Sequence, residues 1–584
     1  MKKLLSGNEA VARGFYEAGG HVATAYPGTP STEILENMPQ YGEDVYSQWS
    51  PNEKVALEVG IGSSFGGART LVAMKHVGVN VAADPLLTLT YSGVKGGFVL
   101  VSSDDPGMHS SQNEQDNRFY AKFAKMPLLE PSDSQEAKDF VARALKISEE
   151  YDTPVMLRLT TRISHTKTLV ELKEREEHND LLGFEKNPPK YVMVPANGRK
   201  RHPIVEERTK KLKDLAENID INKAEYNDKS IGIITSSIAY QYVKEVFPEA
   251  SVLKLGMAFP FPINKVKEFA EKVEKLYVVE ELEPFMEEMI KAEGIEVTGK
   301  DIIPRCGELN PKIIKNAVNK NKNEIKENKF EDVKTPIRPP VLCPGCPHRG
   351  VFYTLNKLNT VVTGDIGCYT LGVQKPLDAM DSTIAMGASI GVNIGLEKAL
   401  GKEFSRKSVA VIGDSTFLHS GTTGLMDAVY NKGTNTIIIL DNRITAMTGR
   451  QDNPSTGYTL MEEETKEVDF EKLAKAIGVE RVKIVDSYDL NELKEVISNE
   501  IDKEEVSVII TKRPCMLIRR REYDIKTYRV DEDKCINCGL CLKVGCPAVI
   551  KNDDETKAKI VESMCTGCSV CAQVCPQDAI KLVK

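Results

Sequence analysis

Eight of the thirteen cysteines in this chain lie within its last fifty residues, and their spacing constrains that segment more than any other feature of the sequence. One run reads Cys535-x2-Cys538-x2-Cys541-x4-Cys546-Pro547, and the other reads Cys565-x2-Cys568-x2-Cys571-x3-Cys575-Pro576. The first three cysteines of the two runs are offset by 30 residues (535 to 565, 538 to 568, 541 to 571), which indicates a duplicated unit. Three thiols so close in sequence can surround one corner of a metal cluster, whereas the fourth, followed by proline, must come from a separate turn.

This spacing is typical of two-cluster ferredoxins, in which the fourth cysteine of each run binds the other 4Fe-4S cluster. We therefore predict one cluster on Cys535, Cys538, Cys541 and Cys575, and a second on Cys546, Cys565, Cys568 and Cys571. Structural zinc is a weaker interpretation, because zinc sites take four ligands in two pairs, and disulfides suit the pattern less still. The four-residue gap before Cys546 is one residue longer than usual, which predicts a local distortion of that cluster.

Composition favours a large redox protein. A chain of 584 residues is too long for one hydrophobic core, so several domains are expected. The many cysteines in cluster spacing favour a reducing compartment, and the first residues lack the apolar segment of a signal peptide. The apolar runs are strand-length, far below the roughly 18 residues of a membrane span. With a net charge of −8 there is no basic patch for nucleic acid, so we expect a soluble cytoplasmic protein that binds neither nucleic acid nor a membrane.

Strand-length apolar segments bounded by glycine alternate with amphipathic segments, as in βαβ units. Examples are residues 70–78 (TLVAMKHVG), 230–237 (SIGIITSS) and 434–442 (TNTIIILDN). We therefore predict a multidomain α/β fold that ends in a small ferredoxin-like α+β domain. The predicted segments are open parallel-sheet domains over 1–170 and 341–525, a charged connection over 171–229, a middle α/β domain over 230–318, a polar linker over 319–340, and the two-cluster domain over 526–584.

Two strand ends in the 341–525 domain carry oxygen ligands. One apolar strand ends in Gly413-Asp414-Ser415 and another in Asp441-Asn442, a pairing that resembles the thiamine diphosphate signature. Mg²⁺ takes oxygen ligands, and open α/β sheets bind ligands at the carboxyl ends of their strands. An ordinary strand-to-helix turn with aspartate as N-cap is the alternative. We predict a diphosphate-binding domain in which Asp414 and Asn442 bind Mg²⁺, and in which Gly387, Gly413, Asp414, Ser415 and Asn442 contact thiamine diphosphate.

Thiamine enzymes also need a carboxylate that exchanges a proton with the aminopyrimidine ring, supplied by a separate pyrimidine-binding domain. In the 1–170 domain, Asn52-Glu53-Lys54-Val55-Ala56 resembles the N-E-x-x-A turn of thiamine-dependent decarboxylases. We predict Glu53 as the catalytic carboxylate, in a desolvated position. Glu58 is the second candidate, and a solvent-facing glutamate at a helix N-terminus is the alternative for Glu53.

Across its length the chain resembles the large subunits of indolepyruvate:ferredoxin oxidoreductases, within the 2-oxoacid:ferredoxin oxidoreductase superfamily. The strings that carry this resemblance are YPGTPS (26–31), CPGCPHR (343–349), LDNRITAMTG (440–449) and the C-terminal cysteine runs. In that family the first cysteine run has a lengthened final gap, so the departure before Cys546 supports the resemblance.

The resemblance implies further site residues. The carbonyl of Ile444 would be a third Mg²⁺ ligand, Thr29 would hydrogen-bond the oxoacid, and the loop 104–117 would line the same pocket. The alternative for the Thr29 loop and for 104–117 is an ordinary turn. A third cluster would be bound by Cys343, Cys346, Cys368 and Cys515. The alternative for these cysteines is a structural role, and Cys306 is interpreted as a plain thiol.

The activity that the resemblance implies is the oxidative decarboxylation of arylpyruvates such as indole-3-pyruvate, with CoA, to arylacetyl-CoA, CO₂ and reduced ferredoxin. A smaller beta subunit would complete a heterodimer or a dimer of heterodimers. Three alternatives stay open: the same chemistry on pyruvate or a branched-chain 2-oxoacid, a non-redox thiamine decarboxylase, and an electron-transfer scaffold.

Overall fold

The computed structural model describes residues 1–178, 181, 183–318, 339–518 and 525–583. Two compact units make up the chain, residues 1–329 and residues 330–584. The predicted linker 319–340 lies almost wholly outside the described residues. Within the described part of the chain, none of the helices combines the length and apolar character needed to span a bilayer.

The first unit contains thirteen described strands. They are β1 (Lys2–Ser6), β2 (Val22–Ala25), β3 (Tyr46–Trp49), β4 (Thr70–Lys75), β5 (Phe98–Asp104), β6 (Leu128–Leu129), β7 (Val155–Thr160), β8 (Lys167–Glu171), β9 (Asn222–Glu225), β10 (Asp228–Thr235), β11 (Ala250–Leu255), β12 (Met257–Phe259) and β13 (Leu276–Val279).

Helices surround these strands. They are α1 (Gly7–Glu17), α2 (Thr32–Glu36), α3 (Glu53–Phe65), α4 (His76–Val81), α5 (Ala83–Ser92), α6 (Arg118–Ala124), α7 (Ser134–Tyr151), α8 (Thr161–His165), α9 (Pro188–Tyr191), α10 (Pro195–Asn218), α11 (Ser237–Val246), α12 (Ile263–Ala270), α13 (Phe285–Ala292) and α14 (Pro311–Val318), with a short 3₁₀ segment at Pro39–Asp44.

A seven-stranded sheet in the order β12-β6-β7-β5-β4-β2-β3 forms the centre of this unit. All its pairs are parallel except β12 with β6. Strands β4, β5 and β7 are buried along their whole length, as expected for a parallel sheet covered on both faces. A second sheet has the order β13-β10-β11-β9, and β1 pairs with β8 on its own.

The segment predicted as a separate middle domain is continuous with the first domain. Strand β12 lies within 230–318 yet joins the seven-stranded sheet, and β9 lies within the predicted connection 171–229 yet joins the second sheet. One hydrophobic cluster contains Phe98 of β5 and Ile234 of β10, one from each sheet, together with Leu57 of α3 and Phe269 of α12. The apolar faces of the two sheets are therefore buried together, and the sequence pattern, which reports each strand locally, did not reveal this.

Buried ion pairs also connect the first sheet to the segment that follows β13. The side chain of Arg118 is almost fully buried and forms ion pairs with Asp116 at 2.5 Å and with Glu280 at 2.6 Å. It also donates to the backbone carbonyls of Glu281 and Glu283. Breaking a buried pair by removing one partner is strongly destabilising, so Arg118 anchors the 280–283 segment to the first sheet.

The second unit has ten described strands: β14 (Val361–Gly364), β15 (Ser382–Thr383), β16 (Ser408–Gly413), β17 (Thr436–Asp441), β18 (Arg481–Val485), β19 (Ser507–Lys512), β20 (Tyr528–Val530), β21 (Val549–Lys551), β22 (Ala558–Ile560) and β23 (Ile580–Leu582). Its α-helices are α15 (His348–Leu358), α16 (Ala388–Leu400), α17 (Lys402–Ser405), α18 (Asp414–Thr416), α19 (Thr422–Tyr430), α20 (Phe470–Ile477), α21 (Leu490–Ile501) and α22 (Val570–Gln573). Short 3₁₀ segments lie at Cys368–Val373, Leu542–Val544 and Glu562–Met564, and a π-helical turn at Phe417–Gly421 joins α18 to α19.

A six-stranded parallel sheet in the order β15-β14-β16-β17-β19-β18 dominates the second unit. Its central strands β16 and β17 are completely buried, and separate hydrophobic clusters cover its two faces. The cysteine-rich end of the chain adds the antiparallel pairs β20–β23 and β21–β22. These pairs enclose a small core that contains Cys541 and Cys571.

Candidate active site

Asp414 and Asn442 lie side by side at one edge of the six-stranded sheet. Strands β16 and β17 are adjacent and parallel, with Gly413 opposite Leu440, so the residues that follow both strands meet at their carboxyl ends. Asp414 is 2% exposed and Asn442 is 6% exposed. The amide atom of Asn442 that faces Asp414 lies 3.1 Å from both carboxylate oxygens and 2.9 Å from the carbonyl oxygen of Ile444.

The orientation of the Asn442 amide decides whether Asp414, Asn442 and Ile444 can bind a cation. With its oxygen toward Asp414, its nitrogen is 3.4 Å from Nε2 of His348. Burial lowers the pKa of His348 to about 4, so the ring is neutral at physiological pH and one of its nitrogens can accept. In that orientation the oxygens of Asp414, Asn442 and Ile444 converge, which suits a hard cation. In the opposite orientation the nitrogen donates to Asp414 and to the Ile444 carbonyl, and no cation is needed.

The charge of Asp414 favours the cation-binding arrangement. No lysine, arginine or histidine in the described part of the chain forms an ion pair with this carboxylate. Burial, and then the neighbouring Asp441, raise the pKa of Asp414 to about 8. A bound divalent cation would stabilise the ionised form of this buried carboxyl, which burial otherwise disfavours, so the residues present fit Mg²⁺.

The glycine-rich turn before α16 lies against the same edge. Gly387 has φ +83°, and a Cβ at this position would lie 2.2 Å from Oγ of Ser420, so only glycine fits without a rearrangement. The carboxylate of Asp365 accepts from the backbone N–H of Gly387 at 2.8 Å and of Ser389 at 3.1 Å. A Cβ on Gly413 would likewise lie 2.5 Å from the ring of Tyr369.

Sequence reasoning missed Asp365, Tyr369 and His348 as contributors to this edge. Asp365 holds the glycine-rich turn, and Tyr369 donates from its hydroxyl to the carbonyl of Ile366 at 2.9 Å. His348 contacts Asn442 and packs edge-on to Tyr369. Asp365 and Tyr369 lie in or next to residues 364–368 (GDIGC), and His348 lies in CPGCPHR. The sequence prediction for both segments rested on their cysteines alone.

Four of the five cysteines outside the C-terminal runs come together beside this edge. The backbone N–H of Cys515 donates to the carbonyl oxygen of Asn442 at 2.9 Å, which ties the segment after β19 directly to the loop of the predicted Mg²⁺ ligands. Burial raises the pKa of Cys346 and of Cys368 to about 12, and the neighbouring thiols of the same set add to both shifts. The structure therefore gathers Cys343, Cys346, Cys368 and Cys515 into one group.

The C-terminal cysteines also form the two predicted groups. Cys535, Cys538, Cys541 and Cys575 line one cavity. Burial raises the pKa of Cys571, and the thiols of Cys568, Cys546 and Cys565 raise it further, which places these four together. The fourth cysteine of each run thus lies with the first three of the other run. Among the described residues, no three Cys, His, Asp or Glu side chains meet closely enough to share a single metal ion.

In the first unit, the structure distinguishes Glu53 from Glu58. The side chain of Asn52 accepts from the backbone N–H of Val55 at 2.9 Å, so α3 begins at Glu53. Glu53 is 5% exposed, and a Cβ on Gly78 would lie 2.8 Å from its Oε1. The side chain of Glu58 is 44% exposed and pairs with Lys54. Glu53 is therefore the desolvated carboxylate of this helix and does not face solvent.

The loop that contains Thr29 meets the 104–117 loop at the carboxyl edge of the seven-stranded sheet. The hydroxyl of Ser110 donates to the backbone carbonyl of Thr29 at 3.3 Å. The ammonium of Lys75, at the end of β4, donates to the carbonyl of Ser110 at 2.6 Å. Burial lowers the pKa of Lys75 to about 8. The sequence did not single out this buried lysine, because one lysine at a strand end carries no motif. Cys306 is an exposed thiol.

Three protein families match separate parts of the chain. Pyruvate flavodoxin/ferredoxin oxidoreductase thiamine diphosphate-binding domains match residues 13–231. The C-terminal thiamine pyrophosphate-binding domain of thiamine pyrophosphate enzymes matches residues 365–511. A 4Fe-4S dicluster domain matches residues 528–582. The predicted fold class, with thiamine-type parallel-sheet domains and a C-terminal cluster domain, is confirmed.

Curated relatives match the chain from end to end. The indolepyruvate oxidoreductase subunit IorA of Archaeoglobus fulgidus is 42% identical and covers 100% of this chain and 98% of its own length. The subunit of the same name from Pyrococcus abyssi is 44% identical, with 100% and 97% covered. That from Methanothermobacter marburgensis is 40% identical, with 99% and 97% covered. The resemblance noted from the sequence is confirmed, and the chain belongs to the family of IorA subunits of indolepyruvate oxidoreductase.

Proposed function

We propose that this chain is the thiamine diphosphate-dependent subunit of an enzyme that oxidises arylpyruvates, such as indole-3-pyruvate, and reduces ferredoxin. In the reaction, the bond between the ketone carbon and the carboxylate breaks and CO₂ leaves. The acyl group is transferred to the sulfur of CoA, and two electrons pass one at a time to ferredoxin. The names of the full-length relatives support indolepyruvate as the substrate.

The observation that carries this proposal is the position of the third cysteine group. The backbone of Cys515 is hydrogen-bonded to the backbone of Asn442, so a cluster on this group would lie beside the Mg²⁺ and diphosphate site. Burial raises the pKa of the thiols of Cys368 and Cys515, and the charge of Asp414 also raises it, which indicates that both thiols lie close to this carboxylate. A decarboxylase without redox chemistry has no use for such an arrangement.

Different residues of the chain would bind the cofactor and transfer the proton. Asp414, Asn442 and the carbonyl of Ile444 would hold Mg²⁺, and the turn at Gly387 would let the backbone approach the diphosphate. Bound thiamine diphosphate would supply an electron sink for the loss of CO₂. Glu53 would exchange a proton with the pyrimidine ring. Thr29, on the loop that meets Ser110, would hydrogen-bond the oxoacid.

Electrons would leave through the three cysteine groups in order. The hydroxyl of Tyr488 donates to the carbonyl of Gly345 at 2.5 Å. Burial raises the pKa of this hydroxyl, and the thiols of Cys568 and Cys346 both raise it further, so the third group and the Cys568 group are neighbours. Besides burial, the thiol of Cys541 raises the pKa of the Cys571 thiol, so the two C-terminal groups are also neighbours. Cys538 is exposed, so its group is the natural exit to an external ferredoxin. A smaller beta subunit would complete the enzyme as a heterodimer or its dimer.

An anaerobic assay of the co-expressed subunits tests the proposal. The assay supplies CoA, a viologen dye and a panel of indole-3-pyruvate, phenylpyruvate, pyruvate and a branched-chain 2-oxoacid. We expect dye reduction and acyl-CoA formation to be fastest with the two aryl substrates. Faster turnover of pyruvate or the branched-chain acid would reassign the substrate. Release of CO₂ without dye reduction would indicate a non-redox decarboxylase, and no turnover of any acid would indicate a scaffold.

Iron content tests the third cluster. At about four iron atoms per 4Fe-4S cluster, anaerobically purified protein should hold about twelve iron atoms per chain, and Cys515→Ser should lower this to about eight. Iron analysis together with the electron paramagnetic resonance signal of the reduced protein measures both values. Cys306→Ser is the matched control, because that thiol is exposed and lies outside all three groups. A wild-type value of about eight would show that these cysteines hold no cluster.

A further inference from the structure

Arg349 ends the CPGCPHR string and lies near the start of α15, where its side chain joins two parts of the second unit. The residue is only 2% exposed. Its Nη2 donates to the backbone carbonyls of Leu342 at 2.6 Å and of Cys343 at 3.0 Å. Its Nη1 donates to the carbonyls of Val544 at 3.2 Å and of Gly545. One guanidinium thus binds the loop of the third cysteine group and the loop that precedes Cys546.

The lengthened gap before Cys546 provides the second half of this contact. Gly545, the last residue of the gap, has φ +71°, a conformation that favours glycine. A Cβ on Gly545 would lie 2.9 Å from Cδ of Pro376 and 3.3 Å from Nη1 of Arg349. The turn directs two consecutive carbonyls at the guanidinium. The lengthened gap therefore ends in a turn that contacts Arg349.

The charge of Arg349 lies between two cysteine groups. Burial raises the pKa of the thiol of Cys346, in the third group, and of Cys568, in the second C-terminal group, and the positive charge of the guanidinium offsets part of this rise at both thiols. Its Nε is buried and finds no acceptor among the residues that the structure describes. A buried donor without an acceptor is costly, so this N–H points to a missing partner. A sulfur atom of a bound cluster would satisfy it.

We propose that Arg349 is a positioning residue that holds the third cluster and the Cys546/Cys565/Cys568/Cys571 cluster in fixed relation and raises the reduction potentials of both. Each cluster becomes more negative when it accepts one electron, and a fixed positive charge stabilises that reduced state. Hydrogen bonds to cluster sulfur and local charge are known determinants of cluster potential. The proposal rests on the third cluster of the proposed function. Electrons would then pass between two clusters whose separation and potentials depend on one side chain.

Two substitutions separate the charge from the geometry. Arg349→Gln removes the charge and most of the hydrogen bonds, whereas Arg349→Lys keeps the charge but cannot reach carbonyls of both loops with a planar fork. Arg481→Gln is the control, because Arg481 pairs with Glu500 at the start of β18, the opposite end of the sheet from Cys515. Each variant is purified with the small subunit, and a redox titration is followed by electron paramagnetic resonance.

We expect Arg349→Gln to shift the midpoint potentials of both clusters to more negative values. Arg349→Lys should retain potentials close to wild type but should change the magnetic coupling between the two reduced clusters. Arg481→Gln should leave potentials and coupling unchanged. Wild-type potentials in Arg349→Gln would overturn the electrostatic role, and wild-type coupling in Arg349→Lys would overturn the positioning role.

The iron count separates this inference from the proposed function. A wild-type protein with about eight iron atoms refutes the third cluster and with it the role between clusters. About twelve iron atoms with unchanged potentials and coupling in both variants refute only the role of Arg349. If Arg349→Gln fails to fold, the coupling measured in Arg349→Lys still decides the positioning role.

Discussion

Replacing Asp414 by alanine is expected to weaken thiamine diphosphate binding by more than about 100-fold, since even outer-shell changes at metal sites cost about 10- to 100-fold. Asp414 is the one carboxylate in the group of oxygens formed with Asn442 and Ile444, so its loss removes the charge that would balance Mg²⁺. Asn442→Ala should act in the same direction through the loss of a neutral ligand. Calorimetry with thiamine diphosphate and Mg²⁺ measures the affinity.

The iron content of both variants should remain at the wild-type value, which separates loss of the cofactor from loss of the fold. Asp427→Ala is the matched control, because Asp427 is an exposed carboxylate on α19, thirteen residues after Asp414. Wild-type affinity in Asp414→Ala and Asn442→Ala would contradict the assignment of this sheet edge as the diphosphate site.

Replacing Glu53 by glutamine is expected to lower turnover by about 100- to 10,000-fold, the range that general acid–base catalysis contributes. The amide keeps the shape of the side chain but cannot exchange a proton with the pyrimidine ring. Cofactor affinity should stay near the wild-type value, because the proposed Mg²⁺ ligands are unchanged. Anaerobic dye-reduction rates measure turnover, and calorimetry measures the affinity.

Glu58→Gln provides both the control and the competing assignment. Glu58 lies on the same helix as Glu53 but is exposed and paired with Lys54, so its substitution should leave turnover unchanged. If Glu53→Gln retained activity within about threefold of wild type while Glu58→Gln lost it, the catalytic role would move to Glu58.

Features that depend on local spacing can be read from the sequence of this protein alone. The eight C-terminal cysteines are of this kind, because each run places three thiols within seven consecutive residues, the spacing of a predicted cluster loop. The pair Asp414 and Asn442 is visible because adjacent parallel strands always bring their carboxyl ends to one edge. The α/β character is visible because buried parallel strands are continuous apolar runs. Patterns of this kind are set by local periodicity and need no knowledge of distant contacts.

Tertiary structure decided what depends on contacts between distant segments. Cys343 and Cys515 are far apart in sequence, and only the fold of the six-stranded sheet gathers their group beside Asn442. Both Glu53 and Glu58 lie on α3, and only their burial in the folded protein shows that Glu53 is the desolvated one. The joining of β12 to the first sheet and the contact of Arg349 with Gly545 were equally hidden. Local spacing determines which ligands and strands exist, whereas burial and long-range packing determine which of them meet.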